Sequence, residues 1–215
     1  MHPFISFEGI DGSGKTTLRD LMLRELLDAG QTATSVGQNS WLVPKAATTI
    51  LLARERGKKY QPDELIASYV QDKTQHYRSN VAFLRKFGTV ISDRFYVSDI
   101  VYMNVLHGID MHEMLERFLN IDTIMWPEQI FFINVDAKKT EERIAKRGKP
   151  RRHYEQEADL TKLNHSYQMF FETFGPEIPS TVTFLSNEDG SQADLAREVI
   201  RLAGLGTRKD NQNPN

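Results

Sequence analysis

The sequence predicts an α/β fold in which a parallel sheet is covered by helices on both faces. Three observations carry that expectation. Short apolar runs alternate with helical stripes along a chain of 215 residues. A glycine-rich turn joins the first apolar run to the first stripe. A later run, Thr89–Asp93, ends in a carboxylate, and in open parallel sheets ligands sit beyond the carboxyl ends of strands.

The elements follow in order. Residues 3–8 read as a buried strand, and 15–29 as a helix with Leu18, Leu21, Met22 and Leu26 on one side and Gly30 as its terminator. A strand near 32–36 leads into an irregular stretch from Gly37 to Pro44. Pro62 opens a long helix whose apolar stripe runs through Ile66, Val70, Tyr77, Val81 and Leu84. After the Thr89–Asp93 strand, helical patterns cover 97–106 and 110–120. Gln129–Val135 and Thr181–Leu185 read as the remaining strands, with helices near 138–147, 158–173 and 191–203. One domain, 1–205, is expected, followed by a polar tail, 206–215, that reads as disordered.

Composition narrows the function classes. The apolar and charged fractions, 40% and 26%, are those of a globular protein. A net charge of −2 argues against nucleic-acid binding by bulk electrostatics. The chain has no cysteine, which removes disulfides and thiolate chemistry. It has no apolar run approaching the ~18 residues of a membrane span, so no membrane partner and a cytoplasmic location are expected.

The turn from Gly9 to Thr16 reads G-x-x-x-x-G-K-T between a strand and a helix, the context a phosphate-binding loop requires. Glycines there let backbone N–H groups face phosphate oxygens, and the following helix adds its positive end. The ATP-binding set is Gly9, Asp11, Gly12, Ser13, Gly14, Lys15, Thr16 and Thr17. Lys15 supplies charge to the outer phosphates. Thr16 and Asp93 are the expected Mg2+ contacts, and Arg94 is available to a phosphate. A basic run follows, with Lys146, Arg147, Lys149, Arg151 and Arg152 broken by Gly148 and Pro150. Beside a phosphate-binding loop it reads as a mobile lid over about 146–157, bringing arginines to the transferring phosphoryl group. Catalytic candidates are therefore Lys15, Arg94, Arg147, Arg151 and Arg152. No Asn-Lys-x-Asp segment for guanine recognition is present, which favours a small-molecule kinase over a GTPase.

The spacing of these elements, from Phe4 to about Leu205, resembles the thymidylate kinase family of P-loop nucleoside monophosphate kinases. The segments Phe7–Thr17, Val90–Tyr102 and Arg143–Glu157 carry the likeness, and an arginine-rich lid resembles the lid-arginine group of that family. The resemblance implies a three-layer α/β/α fold with a five-stranded parallel sheet. It also implies ATP·Mg2+ as donor, dTMP as acceptor and a homodimer. By the same resemblance Asp11 reaches the acceptor sugar, Arg94 its phosphate, and Tyr69 and Lys73 its base. Ser98, Asp99 and Tyr102 line the acceptor pocket from the next helix.

Four positions depart from the family pattern. The charged Arg-Glu-Pro-Gly-Gly segment after the second strand is replaced by Gln38-Asn39-Ser40-Trp41-Leu42. Lys73 replaces an arginine fork, Met103 a glutamine, and His153 falls at the lid's arginine position. Trp41 offers either a stacking surface or a loop anchor. A kinase with a changed acceptor, or a binding module without transfer, stays open at this point.

Overall fold

The computed structural model describes residues 1–146, 148, 150–187 and 191–205. The expected tail at 206–215 and the candidate Arg147 lie outside these residues. The strands are β1 (Phe4–Glu8), β2 (Ala33–Val36), β3 (Thr89–Asp93), β4 (Gln129–Asn134) and β5 (Thr181–Ser186). They form one sheet in the order β2-β3-β1-β4-β5. Every pairing is parallel, with Phe4 beside Val90 and Ile5 beside Gln129.

Both faces of the central strands are buried, and the period of two sorts their side chains. Phe4 and Phe132 point into one apolar layer with Tyr96, Phe118 and Tyr167. Ile5, Phe7, Phe131 and Ile133 point into the other with Leu18, Met22 and Val199. Helix α1 (Lys15–Asp28) buries Leu18, Met22 and Leu26 at i, i+4, i+8 on that second face. Each such side chain contributes about 1.5–3 kcal/mol by leaving water. The helix ends at Gly30, whose φ of 75° lets the Gln31 N–H return to the Leu26 carbonyl at 2.9 Å.

Helix α2 (Pro44–Arg56) is an element that the reading of the sequence did not anticipate. Its signals are present: Pro44 in the first turn, a buried side at Ala46, Ile50 and Ala53, and Gly57 in the left-handed region after it. Helix α3 (Pro62–His76) continues through a π turn (Tyr77–Val81) into a short α4 (Ala82–Leu84). Beside its apolar stripe it also buries Asp72, Lys73 and His76, so one of its faces is polar and yet inside.

Helices α5 (Tyr96–His107), α6 (Met111–Leu119), α7 (Ala137–Lys146), α8 (Glu157–Phe174) and α9 (Gln192–Leu202) match the predicted patterns within a few residues. Among the described residues no helix is long and apolar enough to cross a membrane.

Candidate active site

A cleft of about 880 Å³ opens beyond the carboxyl ends of β1, β2 and β3. Asp11, Gly37 and Asp93, which follow or end those strands, all line it. This is where the chain order reverses across the sheet, the place at which open α/β sheets bind ligands.

The phosphate-binding loop is shaped by close approach. A Cβ on Gly9, at φ 139°, would lie 2.6 Å from the Ile133 carbonyl oxygen, and one on Gly12, at φ 81°, 2.7 Å from that of Thr140. Only glycine fits either position. The Asn187 amide, just past β5, donates to the Ser13 carbonyl at 2.7 Å and ties the loop to the far edge of the sheet. The Lys15 ammonium donates to the Ile10 carbonyl at 2.6 Å and to Ser13 Oγ at 3.0 Å. Burial and the neighbouring Arg94 charge pull its pKa down to about 7, against Asp93, Asp11 and Glu8. The Thr16 hydroxyl donates to the Asp93 carboxylate, placing two hard oxygen donors side by side at the loop.

Arg94 sits at the centre. Its φ of 74° is unusual for a residue with a side chain and is held from several sides. Its N–H donates to Phe7 O at 2.9 Å, and its own carbonyl accepts from Ser92 Oγ at 2.6 Å. The guanidinium donates to Tyr167 Oη at 2.9 Å, Ser98 Oγ at 3.2 Å and Asp11 at 3.1 Å, and lies 4.9 Å from the Tyr102 ring centre. Beneath it Glu8, fully buried, accepts from the N–H groups of Phe95 at 2.8 Å and Ser98 at 3.0 Å. Burial lifts the Glu8 pKa to about 7, against those hydrogen bonds and the charge of Arg94.

Asp11 also accepts from Tyr102 at 3.1 Å and faces Arg152 at 3.6 Å. Burial works to raise its pKa. The charges of Arg94, Lys15, Arg152 and Arg54 outweigh it and hold the carboxyl well below the usual range. Asp11 is thus a fixed anion among the cationic residues of the cleft.

The expected lid arginines separate. Arg152 lines the cleft and bonds Glu55 at 3.1 Å as well as facing Asp11. Arg151 points to Glu141 on α7 at 2.8 Å, away from the cleft lining.

The expected acceptor residues also divide, and most lie one layer below the lining. Lys73, expected at the acceptor base, is 0% exposed, and its ammonium already has partners. It pairs with Asp99 at 2.8 Å and donates to the Gln38 carbonyl at 2.6 Å. A buried charge persists only when so compensated. Asp99 and Ser98, both 0% exposed, are likewise supports, the first for Lys73 and Gln38 Nε2 and the second for Arg94 and Glu8. Tyr69 and Tyr102 are buried beside the cleft, and Tyr102 meets its lining through Asp11 and Arg94. Trp41 does line the cleft.

Arg54, from the unanticipated α2, is the residue that sequence reasoning missed. It lines the cleft and bonds Gln38 Oε1 at 3.3 Å. Burial opposes its charge, but Tyr69, Tyr154 and Asp11 around it shift its pKa upward. The available signal was a half-buried arginine next to Ala53 in the last turn of the helix. Altogether Lys15, Arg19, Arg54, Arg94, Arg143 and Arg152 face two lining carboxylates, Asp11 and Asp93, in a chain whose net charge is −2. The cationic surplus is concentrated in this cleft.

A parallel five-stranded sheet, a phosphate-binding loop closing on Thr16 and Asp93, and a cluster of guanidinium groups beside it define a P-loop phosphotransferase. The family model for thymidylate kinase matches residues 7–189. The chain is 33% identical over 172 residues to a probable thymidylate kinase of Methanospirillum hungatei, covering 78% of this chain and 80% of the relative. It is 25% identical over 203 residues to a probable thymidylate kinase of Methanococcus aeolicus, covering 94% and 95%. A thymidylate kinase of Leptospira interrogans is 26% identical over 178 residues, covering 77% and 79%. The chain belongs to the thymidylate kinase family.

Proposed function

We propose that this protein transfers the γ-phosphoryl group of ATP to the phosphate of dTMP, giving dTDP and ADP. Family membership supports the donor and the acceptor class. The observation that carries the reading is the meeting of Lys15, Arg94, Arg54 and Arg152 around Asp11 in one cleft. The segment 38–42 carries no charged side chain to offer an acceptor phosphate. Arg54 supplies that charge from α2, with no carboxylate within ion-pair distance among the described contacts to spend it on.

The chain's own groups divide the work. Loop N–H groups and Lys15 hold the outer phosphates of ATP. Thr16 and Asp93 fit Mg2+, which takes one or two protein oxygens together with phosphate oxygens and water. When bound with ATP, the ion neutralises charge on the phosphates. Arg94 and Arg54 hold the acceptor phosphate, which is already an anion and needs no strong base. Arg94, Lys15 and Arg152 meet the charge that develops on the equatorial oxygens. Asp11 keeps Arg94 and Arg152 aimed at the same point and is available to the acceptor sugar. Arg151 and Arg147 are the further lid candidates. A homodimer and a cytoplasmic location complete the reading, both from family membership, and light scattering tests the first.

The direct test is ADP release from Mg·ATP with dTMP, dUMP, UMP, CMP, thymidine and no acceptor. Turnover is expected to be greatest with dTMP. No acceptor-dependent release would overturn the reading.

A further inference from the structure

Among the described residues, two that are not glycine have positive φ, Arg94 and Trp41, and both line the cleft. The first is a site residue of the proposed reaction. The second, at φ 57°, is a bulky aromatic residue in a region that such side chains rarely enter. Strain of this kind persists only where the surroundings over-determine it, and it clusters at ligand sites.

The surroundings here are a single face of α3. The Asp72 carboxylate, 0% exposed, accepts from Ser40 N–H at 3.0 Å, Ser40 Oγ at 2.7 Å and Trp41 N–H at 3.1 Å. One residue on, Lys73 holds the Gln38 carbonyl, and one turn on, His76 Nε2 holds the Gly37 carbonyl at 2.8 Å. The loop from Gly37 to Trp41 is therefore bonded from below at Gly37, Gln38, Ser40 and Trp41. Asn39 also accepts from Lys73, at 3.3 Å. The indole at its end is 47% exposed, although a large apolar ring gains by burial. An indole anchored at its backbone and left half-exposed at a cleft can receive a flat partner.

We infer that Asp72 is a positioning residue for acceptor selectivity: by holding Trp41 in its left-handed conformation it makes the indole the wall on which the acceptor's nucleobase stacks. The inference rests on the nucleotide-kinase reading and adds the element that recognises the ring. It also accounts for the departure at 38–42. The loop gave up side-chain charge, kept backbone order through Asp72, and gained an aromatic surface.

The chain has two tryptophans, and the second, Trp126, is buried against Tyr96, so Trp126→Phe leaves Trp41 as the sole reporter. In that background dTMP is expected to quench Trp41 emission, whereas inorganic phosphate, which has no ring, leaves it unchanged. Trp41→Ala is expected to raise KM for dTMP about tenfold, the size of a lost base–aromatic stack, with KM for ATP within about twofold. Asp72→Asn, which keeps the shape and loses the charge, is expected to give a smaller KM rise and a weaker quench, and Asp72→Ala a larger one. If Asp72→Ala does not fold, Asp72→Asn and Trp41→Ala carry the test. Wild-type turnover of dTMP with an unchanged KM in Trp41→Ala overturns the inference and leaves the kinase reading standing. Equal quenching by phosphate also overturns it. Absence of wild-type turnover with dTMP overturns the reading and the inference together.

Discussion

The donor half of the cleft comes from one contiguous run, Gly9 to Thr17, completed by Asp93. The half that we assign to the acceptor is assembled from separate segments: Gln38–Trp41, Arg54 on α2, Arg94, and Arg152 beyond α7. The donor half works mainly through backbone N–H groups, so its residues are constrained by conformation, and glycine cannot be exchanged at Gly9 or Gly12. The acceptor half works through side chains, which different backbone positions can deliver to the same point. One half is therefore written in a fixed spacing and the other is not.

Removing Lys15 tests the donor half most severely. Lys15→Ala and Arg94→Ala are each expected to lower turnover with dTMP by about 10²-fold or more, as the loss of a single donor to developing charge does. Near wild-type rates in either purified variant would remove that residue from the mechanism. Arg54→Ala sharpens the contrast between the halves. Its KM for dTMP should rise about 10- to 100-fold, the value of hydrogen bonds to a charged group, while KM for ATP stays put. A rise in KM for ATP alone would reassign Arg54 to the donor.

Two smaller effects follow from protonation. The Lys15 pKa of about 7 leaves much of the amine neutral at pH 7.5. A phosphate oxygen beside it raises that pKa, so ATP binding should take up roughly three-quarters of a proton. Calorimetry in buffers of different ionisation enthalpy reads this directly, and Lys15→Ala should abolish it.

The smallest expected effect concerns Glu8, whose carboxyl titrates near 4.5 when unfolded and near 7 in the native protein. Between those values only the native state holds the proton, so this group's contribution to stability is full below pH 4.5 and is lost as pH rises through 7. Glu8→Gln should flatten the decline in Tm between pH 5 and 8 by a few degrees relative to wild type. An identical profile in both proteins would mean that Glu8 is ionised throughout.

The same contrast explains what could be read in advance. The five strands and the phosphate-binding loop follow from periodicity and glycine spacing, which are local properties, and the place of Asp93 beside Thr16 follows from its position at a strand end of a parallel sheet. Helix α2 escaped because its apolar side is short, with Ala46, Ile50 and Ala53 between polar neighbours. Lys73 shared a face with Tyr69 and Tyr77, as its spacing implied. Spacing does not say whether an ammonium on that face meets a ligand or a carboxylate, and Asp99, 26 positions away, decided it.

By itself the sequence determined the sheet, the donor loop and the chemistry of phosphoryl transfer, because backbone conformation and the period of apolar residues are encoded over a few neighbours. The tertiary structure alone decided which cations remain for a ligand. Lys73 is neutralised by Asp99, Arg151 turns to Glu141, and Arg54 and Arg152 reach the cleft. That division depends on which charges meet across the fold: the Lys73–Asp99 pair is fully buried and closed to a ligand, whereas Arg54 and Arg152 stay at the cleft, the second while still paired with Glu55.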